Sequence, residues 1–94
     1  MNPLIYYVAV DAIGRRPNPR VPRLTLPVYP PELVAFGVRV RDLRERLCGQ
    51  MPLSEAARRL GITGTGLALI EMGGARVTDE TAAIREMERA WRTA

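Results

Sequence analysis

The chain has 94 residues, 47% hydrophobic and 26% charged, which allows one small domain and excludes a dinucleotide-binding sheet or a barrel. Its formal charge is +4, and all of its 14 basic residues are arginines. Without histidine or lysine, and with Cys48 as the single cysteine, the chain has no usual general base, Schiff-base amine, internal disulfide or multi-cysteine zinc site. We therefore expect a cytoplasmic, non-enzymatic protein with no metal and no cofactor.

The first 31 residues contain seven of the eight prolines, a density that excludes a helix. Within them, residues 4–10 are rich in β-branched and aromatic side chains, and residues 23–29 alternate in polarity, with Pro27 suited only to an edge strand. The sequence predicts a proline-rich extended arm or a β-ribbon over 1–31. An isolated ribbon is marginal in water, so we expect it to pack on helices or to pair with a second copy in a homodimer.

The same apolar run at 4–10 is the strongest candidate for a targeting or membrane segment. It has no basic residue before it, and seven residues are short for a signal-peptide core and far too few to span a bilayer. We therefore expect no membrane partner.

Residues 32–94 have helical spacing of their apolar side chains and form the second predicted unit. Apolar residues spaced by three and four over 36–47 predict a first helix, which ends at Gly49. Pro52 suits the first turn of a second helix over 53–60, because a first-turn residue needs no backbone donor.

Two further helices follow in the predicted order. Gly61 ends the second helix, and Thr63 is the candidate N-cap of a third helix over 64–72. The last helix begins after Thr78 or Asp79, either of which suits an N-cap. Residues 36–63 contain six arginines and three acidic residues, whereas residues 64–94 have a net charge of −1. We therefore expect the positive field to lie around the first two helices.

Residues 56–63, followed by 67–73, have the pattern of a helix-turn-helix. Ala57 is small where two helices would cross, and Gly61 lies where the chain must turn sharply. The residues expected to hold the second helix on the first are Ile62, Leu67 and Ile70. In such a unit the N-terminal end of the second helix enters the DNA major groove.

Residues 36–91 resemble the lambda-repressor-like helix-turn-helix family (Cro/repressor type, XRE-like). Four matching segments occur in the family's order: Phe36-Gly37 with Val40-Arg41-Asp42-Leu43-Arg44, Ala56 to Thr63, Ile70-Glu71-Met72-Gly73, and Thr78 to Thr81. The resemblance implies a mainly α fold, a four- to five-helix bundle containing the helix-turn-helix. It also implies a phage- or bacterial-type transcriptional regulator that binds duplex DNA, usually as a homodimer.

The resemblance further implies an internal salt bridge between Arg44 and Glu71. The residues that we expect to contact DNA are Arg39, Arg41, Arg58, Arg59, Thr63, Thr65, Leu69 and Arg76. The chain departs from the family pattern at positions that usually contact DNA. Pro52 and Leu53 replace the family's usual polar pair. Residues 63–73 contain no Arg, Gln or Asn for the bidentate base contacts that recognise a DNA sequence.

Two explanations of this apolar third helix stay open. In the first, arginine–phosphate contacts bind DNA, and sequence is read by DNA shape or by the arm's arginines, Arg15, Arg16, Arg20 and Arg23. In the second, the protein is an adaptor or antitoxin-like protein that binds a protein partner and not DNA. The exposed patch would then be formed by Ala68, Leu69 and Met72.

Overall fold

The structure is a computed structural model and describes residues 5–92. This part of the chain contains four strands and four helices, in the order β1 (Tyr7–Ala9), β2 (Gly14–Pro17), β3 (Thr25–Val28), α1 (Pro31–Cys48), α2 (Leu53–Arg59), α3 (Gly64–Met72), β4 (Ala75–Val77) and α4 (Glu80–Arg92). Two small antiparallel sheets accompany the helices. The architecture is therefore mixed α/β, and the predicted mainly α bundle was wrong to that extent.

The hydrophobic core lies between the helices. Helix α1 packs against α3 and α4, and α2 packs against α3. The largest fully buried side chains are Trp91, Leu33, Leu60, Leu67, Ile70, Met87 and Val40. The indole Nε1 of Trp91 donates a hydrogen bond of 3.0 Å to the carbonyl oxygen of Ala56, so the one polar atom of this buried ring is satisfied while it joins α4 to α2.

Helices α1 and α3 approach most closely at Gly37, which is buried. A Cβ atom built on this glycine would lie 2.6 Å from the carbonyl oxygen of Ile70 and closer still to that of Glu71. Both oxygens belong to the backbone of α3, so they cannot move aside as a flexible side chain can. Residue 37 therefore sets the separation of the two helices.

The strands pair differently from the predicted ribbon. Strand β1 pairs with β4, with Val8 opposite Arg76, and β2 pairs with β3. The segments 4–10 and 23–29 do contain β1 and β3, but these strands do not pair with each other; Leu4 lies outside the described residues. Because each strand has a partner within the chain, the argument for a homodimer from an unpaired ribbon no longer holds.

Strand β4 occupies three residues that the sequence analysis treated only as a connection between helices. The predicted bounds of α3 are confirmed, and its N-cap Thr63 accepts a hydrogen bond of 3.0 Å from the amide of Gly66. Asp79 caps α4 by accepting a bond of 3.1 Å from the amide of Ala82. Across residues 5–92, none of the helices has both the length and the apolar character needed to cross a membrane.

Replacing Gly37 with alanine should lower the free energy of unfolding by about 1–3 kcal/mol, because the new methyl group meets fixed carbonyl oxygens of α3. Urea denaturation followed by circular dichroism measures the change. Gly14→Ala is the matched control, since a Cβ at that position has no atom within 4 Å and should alter stability by no more than about 0.5 kcal/mol. Equal stability of Gly37→Ala and the unmodified chain would contradict the close approach.

Candidate functional site

Helices α2 and α3 are joined by a tight turn at Gly61, which has a φ of 74°. The amide of Gly61 donates to the carbonyl oxygen of Arg58 at 3.0 Å, and the amide of Ile62 donates to that of Ala57 at 3.1 Å. This pair of hydrogen bonds is the Schellman motif, which needs a left-handed residue where glycine has no steric cost. The turn therefore fixes the direction in which α3 leaves α2.

One face of the α2–α3 unit is buried and the other is open to solvent. Leu67 and Ile70 are fully buried, as expected for residues that hold α3 on α2, and so is Ala57; Ile62, the third residue expected there, is half-buried against the core. At the opposite face, Thr63 and Thr65 are exposed at the N-terminal end of α3. The structure thus presents two hydroxyl groups where the sequence analysis expected contacts to DNA.

Tyr7 of β1 lies against the first turn of α3. A Cβ atom built on Gly66 would be 2.6 Å from Cζ of the Tyr7 ring, and Gly66 itself is buried. Glycine at this position is therefore explained by packing, although it weakens the helix by about 1 kcal/mol relative to alanine. Sequence reasoning missed this contact, because nothing local links two residues so far apart in the chain.

Leu69 does not form the exposed apolar surface that the sequence analysis expected. It is half-buried and packs against the core, and its Cδ1 atom lies 2.5 Å from a Cβ built on Gly74. The Tyr29 ring approaches the same point, with Cζ at 2.9 Å. Met72, which the sequence places in the same apolar patch, is exposed at 51%.

Arg44 and Glu71 are brought together by the contact between α1 and α3. Nε of Arg44 donates to Oε2 of Glu71 at 2.6 Å, and the Arg44 guanidinium also donates to Oε1 at 3.0 Å. The two side chains are only 17% and 10% exposed. The hydrogen bonds to Glu71 raise the pKa of Arg44 above its ordinary value. This two-point ion pair ties α1 to the last turn of α3.

Arg39 and Arg41 lie on different sides of α1. Arg41 borders a groove of about 230 Å³ on the solvent-exposed side of α3, here called its outer face. The other residues that line this groove are Leu53, Ala68, Glu71 and Met72. Arg39 borders a separate groove between α1 and α4, together with Asp42, Leu43, Arg46, Ile84 and Glu88. The structure therefore places Arg41 beside α3 and separates Arg39 from it.

The other predicted DNA-contacting arginines have acidic neighbours. Arg58 forms an ion pair with Glu55, and Nε of Arg59 lies 3.7 Å from Oε1 of the same carboxylate. Arg76, on β4, is 3.8 Å from Glu32. Arg41 is likewise paired with Glu45, at 3.5 Å. Much of the positive charge expected around the first two helices is therefore balanced locally.

The unbalanced charge lies in a different part of the chain. Residues 12–31 contain four arginines and no acidic residue, whereas the remaining positions contain ten arginines and ten acidic residues. Within residues 5–92, no ion pair involves any of these four arginines, Arg15, Arg16, Arg20 and Arg23. Counting acidic residues segment by segment would have revealed this from the sequence.

Cys48 is the last residue of α1 and is half-buried. Burial raises the pKa of its thiol above the ordinary value, so the sulfur stays protonated at neutral pH and is a poor nucleophile. In the described part of the chain, no three cysteine or acidic side chains are grouped so that they could hold a metal ion.

No family model, curated protein or solved structure matches this chain. The resemblance to repressor-type proteins therefore depends on the four sequence segments alone.

Replacing Arg44 or Glu71 with alanine should each lower the free energy of unfolding by about 2–3 kcal/mol, because the remaining charge is left half-buried without its partner. A double-mutant cycle read by urea denaturation should give a coupling energy of about 2 kcal/mol. The exposed pair Arg41–Glu45 is the control and should give about 0.3–0.5 kcal/mol. A cost below about 0.5 kcal/mol for both single changes would show that the pair does not stabilise the contact.

Proposed function

We propose that this protein is a DNA-binding transcriptional regulator in which α2, the turn at Gly61 and α3 form a helix-turn-helix. The observation that supports this most directly is the hydrogen-bonded turn at Gly61, with Ala57, Leu67 and Ile70 buried behind it. A helix-turn-helix needs a rigid turn and a packed inner face, so that the second helix can enter the major groove as a unit.

In this proposal the N-terminal end of α3 points into the groove. Thr63 and Thr65 are exposed there and can donate to phosphate or accept from base edges. The helix dipole also favours a phosphate at an N-terminus. Because α3 has no side chain for bidentate base contacts, the affinity comes mainly from arginine–phosphate contacts.

Not all of the arginines that were expected to contact DNA lie near α3. Arg41 borders the outer groove of α3, and Arg58 is exposed on α2, so both are retained as phosphate contacts. Arg76 lies on β4, the next element after α3, and is also kept as a proposed phosphate contact. Arg59 is partly buried and contributes less to phosphate binding. Arg39 is not proposed as a phosphate contact, because it borders the groove between α1 and α4.

A second candidate function is a helix-turn-helix adaptor or antitoxin-like protein that binds a protein partner and not DNA. The observation that favours it is the exposure of Val34 and Val38, one helical turn apart on α1, together with Met72 on α3. Val34 and Met72 border the same cavity of about 240 Å³, so the exposed apolar area is shared by the two helices. Such an area suits an apolar partner surface.

A salt titration separates the two candidates. Binding to labelled random and genomic duplexes, measured by fluorescence anisotropy, should weaken steeply as salt rises, with a linear log–log relation. Replacing Arg41 and Arg58 together with alanine should lower the slope by about 0.9 for each phosphate that is no longer neutralised. Replacing Arg39 and Arg46 together with alanine is the matched control, because it removes two charges from the groove between α1 and α4 and should leave the slope unchanged; Arg39→Ala alone should likewise have no effect.

Failure of the folded chain to bind either duplex at ~50 mM salt would contradict the DNA-binding proposal and favour the adaptor, because counterion release helps binding most at low salt. An equal decrease of the slope in the Arg39/Arg46 variant and in the Arg41/Arg58 variant would show that the phosphate contacts are not organised around α3.

A further inference from the structure

Residues 14–28 form a basic hairpin, made of β2, the loop 18–24 and β3. Its four arginines and its lack of acidic residues give it a formal charge of +4, equal to that of the whole chain. The rest of the molecule has as many arginines as acidic residues. The net positive charge of the protein therefore lies in this one element.

Nothing in the described part of the chain neutralises this element. All seven ion pairs found within residues 5–92 involve residues of the helices and β4. Every residue of β2 is exposed, including Arg15 and Arg16, and so are Arg20 and Arg23. Four like charges held close together repel one another, and an anionic partner relieves that repulsion.

The basic hairpin is ordered by hydrogen bonds of its own. Oδ1 of Asn18 accepts from the amides of Arg20 and Val21 at 2.8 and 3.3 Å, and the amide of Asn18 donates to the carbonyl oxygen of Leu24 at 2.9 Å. This Asx turn closes the loop and fixes its path. The arginines are therefore presented on a defined frame, which lowers the entropic cost of binding.

The basic hairpin adjoins the outer face of α3. Arg16 borders the cavity of about 240 Å³ together with Val34 and Met72. Met72 also borders the groove that contains Arg41 and Ala68. The hairpin, the last turn of α3 and Arg41 thus belong to one continuous surface.

We propose that the basic hairpin is a second DNA-binding element, which contacts phosphates of the same duplex next to the segment occupied by α3. This inference rests on the proposed function. Duplex DNA has one charge per about 1.7 Å of its axis, and the planar guanidinium group suits bidentate phosphate contacts. Charge complementarity and continuity with the outer face of α3 both favour the duplex as the occupant. The hairpin supplies affinity that α3, with its apolar side chains, does not.

The test compares two variants with the same net charge. The hairpin variant replaces Arg15, Arg16, Arg20 and Arg23 with alanine, and the control variant replaces Arg39, Arg46, Arg85 and Arg89, which lie on α1 and α4. The hairpin variant should lower the log–log salt slope of duplex binding by about 3–4, since each phosphate contact contributes about 0.9. The control variant should keep the slope of the unmodified chain.

A third variant tests the ordered loop of the basic hairpin and leaves its charge unchanged. Asn18→Ala removes the turn that orders the loop but leaves all four arginines, so it should weaken binding about three- to tenfold with the salt slope unchanged. Within residues 5–92, the hydrophobic core includes no residue of the basic hairpin, so all hairpin variants should keep the thermal midpoint of the unmodified chain.

The outcomes distinguish this inference from the proposed function. If the hairpin variant keeps the slope while the Arg41/Arg58 variant lowers it, the hairpin inference is wrong and the helix-turn-helix proposal stands. If the hairpin variant alone lowers the slope, the hairpin contacts phosphates but Arg41 and Arg58 do not, and the contacts proposed around α3 are wrong. The inference would be overturned if the slope fell equally in the hairpin and control variants, or if the chain did not bind duplex DNA. It would also be overturned if hairpin-dependent binding to phosphatidylserine vesicles were stronger than binding to duplex at the same salt.

Discussion

The backbone contact between α1 and α3 at Gly37 is the constraint on which the rest of the structure depends. With any side chain at this position the helices would separate, because the nearest atoms are carbonyl oxygens of α3. Their approach brings Glu71 within reach of Arg44, and it places Arg41 beside the outer face of α3. The same contact thus determines the core, the half-buried ion pair and the arrangement of the candidate site.

The residues before α1 are connected to the site in two places. Strand β1 pairs with β4, directly after α3, and Tyr7 lies against the first turn of α3 at Gly66. Tyr29, which follows β3, approaches Leu69 and Gly74 near the other end of the helix. Helix α3 is therefore held at both ends by the proline-rich part of the chain, and only its outer face is left for a partner.

Local signals were sufficient for both ends of α3, and the resemblance for one long-range contact, between Arg44 and Glu71. The bounds of α3 follow from Thr63 and from the glycines after Met72, because capping depends on neighbours in sequence. The pairing of β1 with β4 and the burial of Leu69 were missed, since each depends on residues far away in the chain. The charge of α1 and α2 was misjudged for a different reason: Glu45 and Glu55 pair with arginines three or four residues away on their own helices.

The distribution of charge also determines how the molecule behaves in the absence of any partner. A protein near its isoelectric point tends to associate and precipitate, and net charge of either sign opposes this. Here the helical body is balanced, so mutual repulsion between molecules depends on the four arginines of the basic hairpin. The element that carries the net charge thus lies outside the hydrophobic core, whereas the exposed apolar side chains of Val34 and Met72 lie on the balanced helical body.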